Sequence, residues 1–294
     1  MLLPTVAAVV PTYNRQTKLI RFLSLFTHQT YPHLRIIIVD SNSTDGTPEI
    51  VKQKFPQVTL IQVSDREFWT GATNAGVRLA LEENIDFILT INDDAIVDND
   101  HVAKLINLAQ KHQLLILGNR IDYLEPADRV WSLGTYSQWG TDRILSIAYN
   151  DVDRASIPAD IFTQEIIEVD ALPGNGVLIH RSVFDRVGLY NARFCPHYHG
   201  DSELIMRAKA SGISAWIAPQ IVLANDFNET QKRIPFTGLA GLKYTFLHPK
   251  SHLFMPPIFY LIWRYCPRSQ KITTLRALIQ RYQRSSHPSY HSGQ

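Results

Sequence analysis

The chain reads as an α/β fold in which a mostly parallel central sheet is flanked by helices on both faces. Apolar runs of five to seven residues recur through the first 120 positions without inside-outside alternation, which suits strands buried on both faces. Between them, apolar residues fall at i, i+3, i+4 and i+7, the spacing of a helix stripe. With 294 residues, 45% hydrophobic and only 19% charged, the chain can bury a large core.

The first strand is TVAAVV, residues 5–10, ended by Pro11. Asn14 suits a helix N-cap, and Leu19, Phe22, Leu23 and Phe26 follow at helical spacing. LRIIIVD (34–40), rich in β-branched residues, is the second strand and closes on Asp40. After the polar turn SNSTDG, Thr47 can cap a helix with Pro48 at its first position. VTLIQV (58–63), IDFILTI (85–91) and LLILG (114–118) are the next strands, with helices over 74–83 and 99–112 between them. From Ile121 the alternation gives way to aromatic-rich, turn-rich sequence, then a helix over 201–212 stopped by Gly212. The last residues, RSSHPSYHSGQ, have the composition of a disordered end.

Charge divides the chain in two. From Asp226 onward there are ten Lys/Arg against two Asp/Glu, whereas residues 1–225 carry 19 against 25, so an acidic body precedes a basic, aromatic-rich extension over 226–294. Two cysteines, Cys195 and Cys266, are too few for a disulfide framework or a Cys-rich zinc site, and a reducing cytoplasm is expected. The N-terminal MLLPTVAAVVPTYNR lacks a basic leader and breaks at Pro11, so it reads as a strand and not a signal peptide. Leu253 to Trp263 gives eleven apolar or Pro residues, too few to cross a bilayer. Flanked by Lys250, Arg264 and Arg268, the segment 250–268 has two open uses: peripheral contact with an anionic membrane, or a helix packed on the domain. Nucleic acid is not expected as a partner, because the body is acidic and no base-stacking motif is present.

In an open parallel sheet, ligands bind beyond the carboxyl ends of the strands. PTYNR, DSNSTDG and NDDA all fall there, gathering Asp40, Asp93 and Asp94 on one edge. Adjacent carboxylates repel, and a divalent cation would keep both ionised; hard oxygen ligands suit Mg²⁺ or Mn²⁺, which share positions readily with phosphate oxygens. The alternative is a pair of turn or cap residues in solvent.

The series VVPTYNR, IIIVDSNSTDGT, GATNAGVRLAL, ILTINDDA and HGDSELIMRAKASG resembles the family 2 glycosyltransferases, across residues 5 to about 220. The resemblance implies the GT-A fold, Rossmann-like, with residues 1–225 as catalytic domain: a nucleotide-sugar half to about 120 and an acceptor half over 121–225. It implies an inverting transferase that takes a UDP, dTDP or GDP sugar to a hydroxyl on a glycan or lipid-linked acceptor, working in the cytoplasm or at the inner face of the membrane. Pro11, Thr12, Tyr13 and Arg15 would line the nucleotide pocket, with Asp40 accepting from the base and Asn42 beside it. Gly71 and Asn74 would face the donor, Asn92 and Asp93 would belong to the donor site, and Asp94 would bind the cation that holds the diphosphate. Asn92 stands where many members have Asp. Asp201 would be the general base, although Gly200 replaces the Glu that often precedes it, and an N-cap role is compatible. Glu203 would support the site. The rivals are a non-catalytic nucleotide- or glycan-binding protein on the same fold, and a nucleotidyltransferase, whose basic Gly-rich signature PTYNR lacks.

Other features have plainer readings. GATNAGVR has the glycine spacing of a phosphate loop but Val77 and Arg78 in place of Lys and Ser/Thr, so that function is rejected. Gly174 and Gly176 either leave room for a sugar ring or form a turn. His197 and His199 lack a third ligand, so acceptor contact is expected over metal binding. Trp69, Trp131 and Trp139 are more expected in the core than on sugar rings, and Cys195 is expected to be inert.

Overall fold

A computed structural model describes residues 3–227, 245–250 and 254–285. Its first half repeats strand and helix: β1 (Val6–Thr12), α1 (Gln16–Phe26), β2 (Leu34–Asp40), α2 (Thr47–Lys54), β3 (Thr59–Gln62), α3 (Phe68–Glu82), β4 (Phe87–Thr90), β5 (Ala95–Val97) and α4 (His101–Lys111). β1 lies between β2 and β4, parallel to both, and β3 extends the sheet beyond β2. Thr12 pairs with Asp40, so β1 and β2 end level with each other.

The absence of alternation in the strands has a direct structural cause. Val6, Ala8 and Val10 of β1 pack with α1, α2 and α4, while Ala7 and Val9 pack with α3 on the other face. Every residue from Val6 to Val10 is therefore buried, and none has reason to be polar.

Local chemistry shifts some expected boundaries. Asn14 is not the cap of α1: it is left-handed (φ 51°), and its side-chain oxygen accepts from Thr44 N at 2.8 Å, tying the loop after β1 to the loop after β2. The cap position of α2 falls to Gly46, left-handed at φ 81°, and Asp45 before it accepts through Oδ1 from the Thr47 amide at 3.1 Å and from its hydroxyl at 2.5 Å. α3 starts six residues before the expected 74, since its glycines serve packing and do not break it. A Cβ on Gly76 would lie 2.4 Å from Val9 Cγ1 and 3.0 Å from Val39 Cγ2, so only hydrogen lets this helix approach the sheet as closely as it does.

The second half departs further from repetition. It contains β6 (Ile116–Tyr123), β7 (Arg129–Ser132), β8 (Thr135–Ser137), β9 (Leu145–Ile147), β10 (Val152–Asp153), α5 (Ala159–Thr163), β11 (Ile167–Val169), β12 (Val177–His180), α6 (Arg181–Val187), α7 (Gly200–Ala210) and β13 (Ala215–Asn225). The main sheet runs β10-β7-β6-β12-β4-β1-β2-β3, and β12 is antiparallel to both β4 and β6. The strand expected at 114–118 thus does not pair with β4. β13, which the sequence reading left unassigned, runs parallel to β6 with a register shift between Ala218 and Val222. Pro219 sits in that shift, where it needs no ladder donor, and its carbonyl accepts from Arg120 Nη1 at 2.9 Å.

The extension forms α8 (Pro256–Tyr265) and α9 (Lys271–Ser285). Leu261 and Ile262 of α8 are buried with Ile144, Ala171, Met206 and Cys266 in a third core, so this helix does pack on the domain. Among the described residues no helix is long and apolar enough to cross a membrane. The expected disordered end falls outside the described residues from 286 onward, and α9 continues through Ser285.

Gly76→Ala tests the closeness of α3 to the sheet. Alanine favours helix by up to about 1 kcal/mol, but overpacking costs about 1–3 kcal/mol. Urea unfolding should show a net destabilisation of about 1–2 kcal/mol; an unchanged or higher midpoint would mean that α3 is loosely seated.

Candidate active site

The carboxyl ends of β1, β2 and β4 open into a cleft of about 510 Å³. Its walls bring together Pro11, Thr12, Tyr13, Arg15, Asn92, Asp93 and Asp201, which lie far apart in the chain.

Asp93 and Asp94 follow β4, and Arg15 meets both. Arg15 Nε is 3.3 Å from Asp93 Oδ1, and its Nη2 pairs with Asp94 Oδ2. Thr12 Oγ1 donates to Asp93 Oδ2 at 2.7 Å. Burial pushes the Asp93 carboxyl up to about 6, opposed by Arg15 and the Thr12 hydroxyl and reinforced by the Asp94 charge. Asp94 does not line the main cleft. It borders a smaller recess with Lys18, Arg21 and Asp226, and its Oδ1 is buried with no hydrogen-bond partner among the described residues.

A leftover buried acceptor costs roughly 1–3 kcal/mol unless something meets it. A hard divalent cation fits this donor set. The described residues contain no cluster of three His, Cys, Asp or Glu able to hold a metal, so such an ion would take one or two Asp oxygens and complete its shell from water and phosphate.

Asp201 lies in the first turn of α7 and does not cap it; the cap position belongs to His199, left-handed at φ 64°. Asp201 Oδ2 accepts from the Gly174 amide at 2.7 Å, which fixes the carboxylate against the turn before β12. Gly174 is required there, because a Cβ would come within 2.6 Å of the Trp69 indole and 3.1 Å of Asp201 Cβ. Trp69 Nε1 donates to Asn92 Oδ1 at 3.3 Å, and the Asn92 amide donates to Asn175 Oδ1 at 2.9 Å, joining α3, the end of β4 and that turn. Burial lowers His197 to about 4, with Lys250 adding to the effect, and also lowers His199 against the pull of Asp201. Both rings are neutral hydrogen-bonding groups at neutral pH.

Glu203 is wholly buried. Its Oε2 takes Arg207 Nη2 at 2.9 Å and its Oε1 takes the Tyr265 hydroxyl of α8 at 2.6 Å, so it braces the helix carrying Asp201 from outside the cleft. Cys195 is buried and its thiol is pushed up by that burial, consistent with an inert side chain.

Besides Asp94, four expected site residues lie off the cleft wall. Asp40 is buried behind Ser41; its Oδ2 accepts from Ser43 N at 3.1 Å and its Oδ1 has no hydrogen-bond partner among the described residues. Asn42 is exposed at φ 62° in the turn after β2. Gly71 and Asn74 are corrected outright: both are buried inside α3 and neither lines the cleft. The Asn74 amide brackets Tyr190 instead, donating to its carbonyl at 2.8 Å and accepting from its amide at 2.9 Å, so it joins α3 to the segment before α7.

Some cleft residues carried no sequence signal. Lys250, from the extension, sets its ammonium 4.5 Å from the Tyr13 ring centroid and 5.8 Å from that of Phe68, a cation over two aromatic faces at the mouth. Trp69 and Trp131 pack against the two main cores as expected and also line the cleft, where Trp131 stacks on Phe227 at 4.9 Å; Trp139 packs against the third core.

The description of one protein family, glycosyl transferase family 2, matches residues 7–172. The O-antigen chain rhamnosyltransferase WbaN of Salmonella anatum is 33% identical over 191 residues, 63% of this chain and 55% of that protein. Glycosyltransferase GlyG of Streptococcus pneumoniae is 30% identical over 124 residues, 41% of this chain and 40% of that one. The chain therefore spans about half the length of these curated relatives. Among solved structures, the mannosyltransferase PcManGT of Pyrobaculum calidifontis, in complex with GDP-Man and Mn²⁺, superimposes with a TM-score of 0.61 at 17% identity, covering 97% of this chain and 73% of that one. That likeness establishes the GT-A fold.

Asp93 gives a pH test. Its folded-state value lies above the unfolded one, so its contribution to stability is full below about pH 4 and is lost as pH rises through about 6. Asp93→Asn can keep the Thr12 hydrogen bond and lacks that loss. Its stability relative to wild type should rise by on the order of 3 kcal/mol between about pH 4 and 7, read from unfolding curves at each pH. A difference that stays flat with pH would show that Asp93 is ionised without cost.

Proposed function

Because the chain belongs to glycosyl transferase family 2, we propose that it moves a sugar from a nucleoside-diphosphate sugar to a hydroxyl of a glycan or lipid-linked acceptor, with inversion at the anomeric carbon. The observation that carries this reading is the meeting of Asp201 with Asp93, Thr12 and Arg15 on the walls of one cleft, with the free Asp94 oxygen just behind.

In this reading the donor lies along the ends of β1, β2 and β4. Asp40 Oδ1, without a hydrogen-bond partner among the described residues but buried behind Ser41, would take a base N–H of uracil, thymine or guanine only with a shift of the Ser41 turn. Arg15 and Lys250 face the diphosphate with positive charge. Asp94, with Asp93 beside it, would hold Mg²⁺ or Mn²⁺, which as a Lewis acid supplies stabilisation of charge on the leaving diphosphate. The Mn²⁺ bound with the mannosyltransferase's donor supports a divalent ion of this kind here.

The chain's own residues then divide the chemistry. Asp201, oriented by the Gly174 amide, takes the acceptor hydroxyl proton as that oxygen bonds to the anomeric carbon; the bond to the diphosphate oxygen breaks, and the nucleoside diphosphate leaves with the electron pair. Attack from the face opposite the leaving group gives inversion. Trp69 and Trp131, flanking the cleft, exclude water and offer apolar faces to sugar rings.

Two variants separate donor binding from transfer. Calorimetry with UDP, dTDP and GDP should find one nucleotide whose binding is strengthened by Mn²⁺ in wild type and not in Asp94→Ala. Asp201→Asn should retain that binding while turnover of the matching sugar donor falls by about 10²–10⁴. Absence of binding by any of the three nucleotides would remove the basis of the reading. Binding by wild type with no turnover of any donor sugar would favour the non-catalytic alternative.

A further inference from the structure

The extension carries an apolar surface that the folded domain does not use. α9 turns Thr274, fully buried, and Leu278 toward the third core, while Ile272, Leu275 and Ile279 are 64%, 36% and 57% exposed. Their i, i+3, i+7 spacing puts them on one face. α8 behaves similarly beyond its buried Leu261 and Ile262. Phe259 and Trp263, one turn apart, are 42% and 68% exposed. Lys271 Nζ donates to the Trp263 carbonyl at 2.7 Å, which brings the start of α9 against the end of α8.

We propose that this face docks on an anionic lipid bilayer. Charge selects that occupant. Between residues 245 and 285 there is no Asp or Glu, and Arg264, Arg268 and Arg276 are exposed beside the apolar positions. Aliphatic and aromatic side chains rimmed by Arg suit the boundary between anionic headgroups and acyl chains, where each basic residue near the surface contributes attraction. A second copy of the chain is disfavoured by the same charges, because a two-fold contact would set this basic patch against itself. Orientation follows from a neighbouring contact. Phe194 stacks on Tyr260 of α8 at 4.4 Å and 9°, joining this face to the segment that runs into His197 and Asp201. Docking here would hold the Asp201 side of the cleft near the lipid surface, where a lipid-linked acceptor presents its hydroxyl.

Vesicle binding tests this without any donor, so its outcome is independent of the transferase reading. The full chain should sediment with vesicles of phosphatidylglycerol in phosphatidylcholine, weakly with phosphatidylcholine alone, and less as salt rises. Ile272→Asp/Ile279→Asp should lower the vesicle affinity by roughly tenfold or more, and Arg268→Glu/Arg276→Glu should lower it by a similar factor. These positions are exposed, and unchanged thermal unfolding would show that the fold is kept. Equal binding by wild type and both variants, or no binding of wild type to anionic vesicles, overturns the proposal. A wild-type dimer in sedimentation equilibrium that Ile272→Asp/Ile279→Asp dissociates would also overturn it and assign the face to a second copy.

Discussion

One electrostatic constraint organises the cleft: two consecutive carboxylates end a buried central strand, and a single guanidinium meets both. Asp93 is almost wholly removed from water and Asp94 nearly so, and charges so placed are tolerated only with close partners. Arg15 supplies that partner from the turn after β1, and Thr12 supplies a hydroxyl from β1 itself. The path of residues 13–15 follows from this need. Asn14 takes a left-handed conformation and binds the loop after β2, which leaves the next side chain positioned to reach across to β4. The ends of three neighbouring strands are thereby drawn into one site before any ligand arrives.

The first half of the fold was legible because its signals are local. Unalternating apolar runs mean strands covered on both faces, and the two sets of residues on β1 do face two different helix layers. The second half was less so, because its pairings depend on distant partners. Nothing in VLIH tells that it inserts antiparallel between β4 and β6. Pro219 masks β13 by breaking a strand-like run, and the register shift that accommodates it, with Arg120 on its carbonyl, cannot be seen in sequence.

The site shows the same division. Polar residues just beyond strand ends were readable from chain position alone, and Pro11 to Tyr13, Arg15, Asn92 and Asp93 all line the cleft. Gly71 and Asn74 were misplaced because a glycine-rich stretch near a ligand and a glycine-rich stretch under a close-packed helix look alike; the neighbouring Gly76, pressed on Val9 and Val39, shows the packing demand on this helix. Lys250 could not be anticipated, since its place over Tyr13 and Phe68 depends on how the extension returns to the body. The buried oxygens of Asp40 and Asp94 that lack a hydrogen-bond partner among the described residues are likewise properties of burial and not of residue type.

The bond from Tyr265 to Glu203 has a consequence for how this chain can be divided. The family match ends at residue 172 and the charge changes sign near 226, yet neither point separates two independent bodies. A chain cut at 225 would leave the buried Glu203 carboxylate with Arg207 but without its phenol, and would strip Leu261 and Ile262 from Ile144, Ala171 and Met206. The basic extension is thus part of the folded domain's own architecture. A tail put in its place would have to bring a matching hydroxyl and two matching apolar side chains to keep the helix behind Asp201 equally supported.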